Sequence, residues 1–167
     1  ACIGYVFAIV CLLVQGVGDG SQPLISQYYG EKNFKATFQI RKMANYTATI
    51  LSILCIAGLY AARGKIGVLF GASTATTENV AASLPIFLCG YIFLAFSRVT
   101  TAAFYATEKA VYSYTLVYIE PVLQVVLLIL IPHFAGQTGV WWCMPLSQIL
   151  TAIIAIVLKM LTNKRHF

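Results

Sequence analysis

The sequence predicts an all-α integral membrane protein with five transmembrane helices. Of its 167 residues, 60% are apolar and only 10% are charged, against about 45–50% and about 25% in soluble domains. A soluble domain with so few charges could not cover its surface. The apolar residues also cluster into runs of the roughly 20 residues that a helix needs to cross a bilayer.

We predict five such spans within one membrane domain over residues 1–167, and short segments join them. The spans cover about 3–29, 43–62, 81–106, 111–132 and 138–159. A basic loop over 31–42 follows the first span. Its Phe34 and Phe38 have roughly helical spacing with charges between, so we expect it to lie partly on the membrane surface. The second span leads into the longest predicted connection, over 64–83.

The later spans are joined more tightly. Only a few residues around Lys109 separate the third and fourth spans, so these helices should be antiparallel neighbours. The segment 133–138 joins the fourth and fifth spans, and Trp141 and Trp142 suit the membrane–water interface.

The basic residues predict the orientation of the chain, because they are concentrated in alternate connections. Two lie in the second connection, and eight lie in the first, the third and the C-terminal segment: Lys32, Lys35, Arg41, Lys42, Lys109, Lys159, Lys164 and Arg165. The positive-inside rule places those segments and the C-terminus in the cytoplasm. An external N-terminus that opens inside an apolar run, together with an odd number of spans, indicates that a preceding helix is missing.

The first span carries the most informative polar residues. Gln15, Asp19 and Gln22 recur at helical spacing and form one polar stripe. Gly16 and Gly20 form a GxxxG pair, which predicts close helix packing.

Pro23 has no N–H, so we expect a helix break there that frees the carbonyl of Asp19. Broken helices at transporter midplanes hold cations or receive protons in this way. The alternative is a kinked packing helix whose stripe makes interhelical hydrogen bonds.

Arg98 in the third span and Glu120 in the fourth lie at about the same membrane depth as Asp19, roughly 12–15 Å from the cytoplasmic helix ends. Gln124 follows Glu120 by one turn, and Pro121 predicts a second helix break. Charges inside a bilayer are costly, so the three should pair. One surplus carboxylate would then titrate or bind a cation, or the charges would form a static clamp.

Other classes of function lack support in the sequence. The five cysteines have no CxxC spacing and indicate small buried side chains rather than a metal site. The excess of basic residues follows the loops and does not predict nucleic-acid binding. No catalytic or ATPase motif is present, so we expect neither an enzyme nor a cofactor.

Three segments carry a resemblance to a known family. Residues 15–35 read QGVGDGSQPLISQYYGEKNFK, residues 63–71 read RGKIGVLFG, and IPHFAG at 131–136 is followed by GVWW at 139–142. Together they resemble the C-terminal lobe of the multidrug and toxic compound extrusion (MATE) family. The family's fold has two six-helix lobes, and this chain would supply helices eight to twelve of the twelve.

The resemblance implies alternating-access efflux of drug-like, often cationic compounds in exchange for H⁺ or Na⁺ across the plasma membrane. The implied partners are the lipid bilayer, small organic cations or drugs, and the N-terminal lobe of the same polypeptide. Some members place cation-binding acids in the seventh and tenth helices, but the span matching the tenth carries Arg98 and no internal acid. Asp19 and Glu120 are therefore candidates from depth and helix breaking alone.

Two alternatives to drug efflux remain at this point. The chain could belong to a flippase for lipid-linked substrates within the same superfamily. It could also be a non-transporting membrane scaffold in which Asp19, Arg98 and Glu120 only lock the helices together.

Overall fold

The chain folds as a bundle of five long helices joined by short links. The computed structural model describes residues 2–71 and 73–163, with the side chains of all of these except 2, 69, 134, 135, 137, 138 and 163. The helices are α1 (Cys2–Gly30), α2 (Phe34–Leu69), α3 (Thr74–Ala106), α4 (Ala110–His133) and α5 (Gly139–Thr162). Each is long and apolar enough to cross a membrane, and the described backbone contains no strand. The predicted fold class is confirmed.

The helices extend beyond the apolar spans predicted from the sequence. α2 begins at Phe34 instead of about 43, because the side chain of Asn33 caps it by accepting a hydrogen bond from Ala36 N at 3.2 Å. The predicted loop over 31–42 therefore shortens to 31–33, and its remaining residues form the first turns of α2. The connection predicted over 64–83 shrinks to 70–73. Hydropathy marks what crosses the bilayer, whereas capping residues set where the helix ends.

α4 and α5 are two separate helices, and a residue with non-helical backbone angles lies between them. Gly136 has φ 58° and ψ −146°, a conformation that L side chains rarely adopt, and it lies between the two spans. Two contacts show that the chain reverses there. Gln148 of α5 bonds Glu120 of α4, whereas Cys143, which precedes Gln148, bonds Leu127, which follows Glu120.

Consecutive helices elsewhere are also antiparallel. Arg98 of α3 pairs with Glu120 of α4, whereas the later Thr101 accepts a hydrogen bond from the earlier Ser113. α1, α3 and α5 therefore run in one direction, and α2 and α4 run in the other. The links 31–33 and 107–109 lie at the same end of the bundle as the last turn of α5. We call this the link end, and it is the end predicted to be cytoplasmic; Lys164 and Arg165, which entered that prediction, lie outside the described residues.

α3 is the central helix of the bundle. It packs against α1, against α2 and against the α4–α5 pair. Its buried side chains include Leu84, Tyr91, Leu94 and Val99. Large apolar side chains on the outer faces of α2 and α4, such as Ile129, are exposed, as expected for surfaces in contact with lipid.

A glycine of α1 allows the closest approach between α1 and α3. A Cβ atom built on Gly18 would lie 3.3 Å from Cβ of Ala102 and 3.5 Å from the carbonyl oxygen of Arg98. Nothing lies within 4 Å of the corresponding positions at Gly16 and Gly20. Within the described helices the close contact is therefore made by Gly18 and not by the GxxxG pair, because α3 meets the opposite face of α1.

Gly18→Val is expected to lower the free energy of unfolding by about 1–3 kcal/mol, because the added side chain overpacks the α1–α3 contact. Gly16→Val is the matched control, since it adds the same side chain on the other face of α1, where nothing described lies within 4 Å. Thermal unfolding in detergent measures both. Equal melting temperatures for the two variants would contradict this account of the α1–α3 contact.

Candidate functional site

An open cavity of about 340 Å³ lies between α1, α3 and α4, nearer the link end of the bundle. From α1, Gln15, Asp19 and Gln22 contribute the polar stripe predicted from their spacing. Asp19 and Gln15 are exposed to the cavity, and Gln22 is half-buried. The stripe therefore faces a space that ligands can enter.

The opposite walls of the cavity combine one cation, small polar groups and aromatic rings. α3 supplies Arg98, Thr101, Ala102 and Tyr105, and α4 supplies Ser113, Tyr114, Val117 and Tyr118. The three tyrosines keep 53–69% of their surface exposed. Aromatic faces of this kind attract organic cations.

Arg98 and Glu120 form an ion pair behind the cavity. Arg98 Nη2 donates to Glu120 Oε1 at 3.1 Å, and the two side chains are 24% and 11% exposed. Gln148 of α5 donates from Nε2 to the same oxygen at 2.9 Å and is itself fully buried. Three helices thus meet at one carboxylate oxygen.

Asp19 is the carboxylate that remains outside this pair. It lines the same cavity as Arg98, yet no described cation lies within 4 Å of it. Glu120 neutralises much of the charge of Arg98, so the cavity contains a carboxylate without a direct counter-ion. Such a group can bind a cation or take up a proton.

The structure corrects the predicted helix breaks. α1 continues through Pro23 and α4 continues through Pro121 with helical backbone angles. A proline removes one N–H and leaves the neighbouring hydrogen bonds in place, and a helix in hydrocarbon keeps those bonds. Pro23 still cannot donate to the carbonyl of Asp19, so that oxygen lacks its usual donor.

The predicted site residues separate into two groups. Gln15, Asp19, Gln22 and Arg98 share the cavity, whereas Glu120 lies behind it and Gln124 is exposed without lining it. The coupling roles assigned to these residues stay predictions.

Sequence reasoning missed Gln148, Tyr114 and Tyr118. A signal for Gln148 was present, since it is a glutamine within an apolar run, next to Ser147 and one turn before Thr151. The tyrosines carried no such signal, because aromatic residues are common on every helix of this chain.

Comparison with known proteins gives one match. The family model named MatE matches residues 3–130, which include α1, α2, α3 and most of α4. Every residue that lines the cavity falls within the match, whereas Gln148 lies beyond it. No curated protein and no solved structure matches the chain.

Glu120→Gln is expected to destabilise the protein by about 3 kcal/mol, because it leaves Arg98 without a counter-charge. The double variant Arg98→Met, Glu120→Met removes both charges and is expected to be more stable than the single variant. Thermal unfolding in detergent gives the comparison. A double variant less stable than Glu120→Gln would show that the pair does more than neutralise charge.

Proposed function

Because the chain belongs to the MatE family of membrane transporters, we propose that it forms part of a secondary active efflux transporter. Its substrates are drug-like, often cationic compounds, which it exports by alternating access in exchange for H⁺ or Na⁺. The protein crosses the plasma membrane several times with its C-terminus in the cytoplasm. The five apolar helices and the basic residues at the link end support this placement.

One observation carries the proposal: the carboxylate of Asp19 faces an open cavity without a cation beside it. In hydrocarbon, an ionised carboxylate is costly unless a positive charge reaches it. The charge on Arg98 is engaged by Glu120, so no described side chain supplies the counter-charge. A substrate cation, a sodium ion or a proton meets that need.

Exchange follows if these cations compete for Asp19. When Asp19 holds a proton or Na⁺, the cavity no longer attracts a cationic drug. When the drug occupies the cavity, the coupling ion is displaced. Each cation can shift the protein between inward-open and outward-open states only through its different affinity for the two states.

The aromatic wall suits the proposed substrates. Tyr105, Tyr114 and Tyr118 present ring faces to the same cavity as Asp19. A flat organic cation between these rings and the carboxylate gains both cation–π and ionic attraction. A simple alkali ion would use Asp19 and the oxygens of Gln15 and Gln22 instead.

The cavity needs a further wall before it can exclude lipid and water. Its tyrosines remain largely exposed, with Tyr118 at 69%, and its described lining comes from α1, α3 and α4. We assign the missing wall to an N-terminal lobe of the same polypeptide. The intact transporter would place the cavity between the two lobes.

Asp19→Asn is expected to lower efflux at least about tenfold, which corresponds to about 1.4 kcal/mol, because the amide cannot exchange a cation for a proton. The measurement is uptake of a fluorescent cationic dye into energised inverted vesicles under imposed H⁺ or Na⁺ gradients. The amount of protein in the membrane is expected to stay unchanged.

Glu108→Gln is the matched control for Asp19→Asn. It also removes one carboxylate, but from the exposed link between α3 and α4. Efflux by Asp19→Asn equal to that of the unchanged protein would remove Asp19 from the coupling mechanism. Failure of the unchanged protein to move any cationic dye would instead favour a different cargo.

Tyr118→Leu is expected to weaken dye binding by a few fold, since one cation–π contact is worth about 0.5–1 kcal/mol at an exposed site. Tyr118→Phe keeps the ring and is expected to bind the dye as the unchanged protein does. The apparent KM for dye uptake measures both variants. Similar KM values for the Tyr118→Leu and Tyr118→Phe variants would show that the ring of Tyr118 does not contact the substrate.

A further inference from the structure

Three basic side chains from different parts of the chain converge at the link end of the bundle. They are Arg41 of α2, Lys109 of the link between α3 and α4, and Lys159 of α5. We call them the basic cluster. They lie apart from the cavity, and the proposed transport mechanism does not use them.

Two phenylalanines of α3 each contact one cation of the basic cluster. Cζ of Arg41 lies 5.3 Å from the ring centre of Phe104, and Nζ of Lys159 lies 5.4 Å from that of Phe96. Both rings belong to one apolar cluster between α3, α4 and α5. The backbone N–H of Lys109 donates to the carbonyl of Phe104 at 3.0 Å, which fixes the backbone of Lys109 next to the residue that contacts Arg41.

None of the described acidic side chains pairs with the basic cluster. Nε and Nη2 of Arg41 are buried and have no hydrogen-bond acceptor. No described carboxylate lies within ion-pair distance of Arg41, Lys109 or Lys159. Glu31, at the same end, instead accepts a hydrogen bond from Gln27. Buried N–H groups without acceptors are unfavourable, and a bound anion would satisfy them.

The electrostatics of the basic cluster agree with its geometry. Burial, and then repulsion from Arg41, lower the pKa of the Lys109 ammonium below its usual value. The charge of Arg41 acts on Lys159 as well. Arg41 thus repels two neighbouring lysines, an arrangement that favours an anion with several oxygens, and a guanidinium matches phosphate oxygens in particular.

The surroundings of the basic cluster indicate where such a phosphate comes from. Exposed apolar side chains stand close to each cation in the sequence: Phe38 three residues before Arg41, Val111 two residues after Lys109, and Met160 next to Lys159. A lipid headgroup on the cations would lay its acyl chains along such surfaces. Basic pockets between helices at the cytoplasmic side bind anionic lipid headgroups in this way.

We infer that Arg41, Lys109 and Lys159 form a binding site for the phosphate of an anionic phospholipid in the leaflet at the link end. Inorganic phosphate offers the same oxygens without acyl chains. The occupant is the lipid, because exposed apolar side chains stand next to all three cations in the sequence.

The test is a lipid titration of the complete protein in detergent, followed by native mass spectrometry. The probes are phosphatidylglycerol, phosphatidylcholine and inorganic phosphate. The unchanged protein is expected to prefer phosphatidylglycerol, and each lost cation is expected to weaken that binding about fivefold. Arg41→Lys is expected to retain more of the affinity than Arg41→Gln.

A triple variant is compared with a matched control that removes the same charge from the same end. The triple variant is Arg41→Gln, Lys109→Gln, Lys159→Gln, and the control is Lys32→Gln, Lys35→Gln, Lys42→Gln. The cluster variant is expected to lose its preference for phosphatidylglycerol, while the control keeps it. If the Arg41 variants do not fold, the double variant Lys109→Gln, Lys159→Gln carries the test, with an expected loss of about 25-fold from two such cations.

Three results would overturn the proposal. The first is equal binding of the two lipids by the unchanged protein. The second is an equal loss of phosphatidylglycerol binding in the cluster variant and its control. The third is displacement of the lipid by millimolar inorganic phosphate, which would identify a soluble anion as the occupant.

Discussion

The arrangement of this bundle depends on the cost of a positive charge inside hydrocarbon. Arg98 lies on the central helix, so it needs a counter-charge that another helix brings to it. Glu120 supplies that charge from α4, and Gln148 of α5 bonds the same carboxylate oxygen. One interaction therefore fixes α4 and α5 against α3. It also leaves Asp19, at the same level of the bundle, as the carboxylate that meets the cavity.

The sequence predicts the number of the helices and their alternation, because both follow from local quantities. Runs of apolar residues reflect the thickness of the bilayer, and basic residues mark alternate links. The ends of α2 and α3 could not be predicted in the same way. A helix extends beyond its apolar run as far as a capping residue, such as Asn33 at the start of α2, and hydropathy does not identify such a residue.

The candidate site was predictable only where a charged or polar residue interrupts an apolar run. Asp19, Arg98 and the stripe around Asp19 gave that signal, and they share the cavity. Which face of α1 meets α3 depends on tertiary packing, so spacing favoured Gly16 and Gly20 although Gly18 makes the contact. The tyrosine wall depends on the rotation of α4 about its axis, which a single sequence does not determine.

The position of α3 at the centre of the bundle has a thermodynamic consequence. Arg98 at the cavity and Phe104 beneath Arg41 are six residues apart on this one helix, or about 9 Å along its axis. Because both residues belong to one helix, a shift of α3 that moves one of them also moves the other. If membrane composition biases the resting position of α3, cargo affinity changes by some factor. Under the proposed function, reciprocity would then require cargo to change the affinity for lipid by the same factor, and the bilayer would act on the proposed transporter as an effector as well as a solvent.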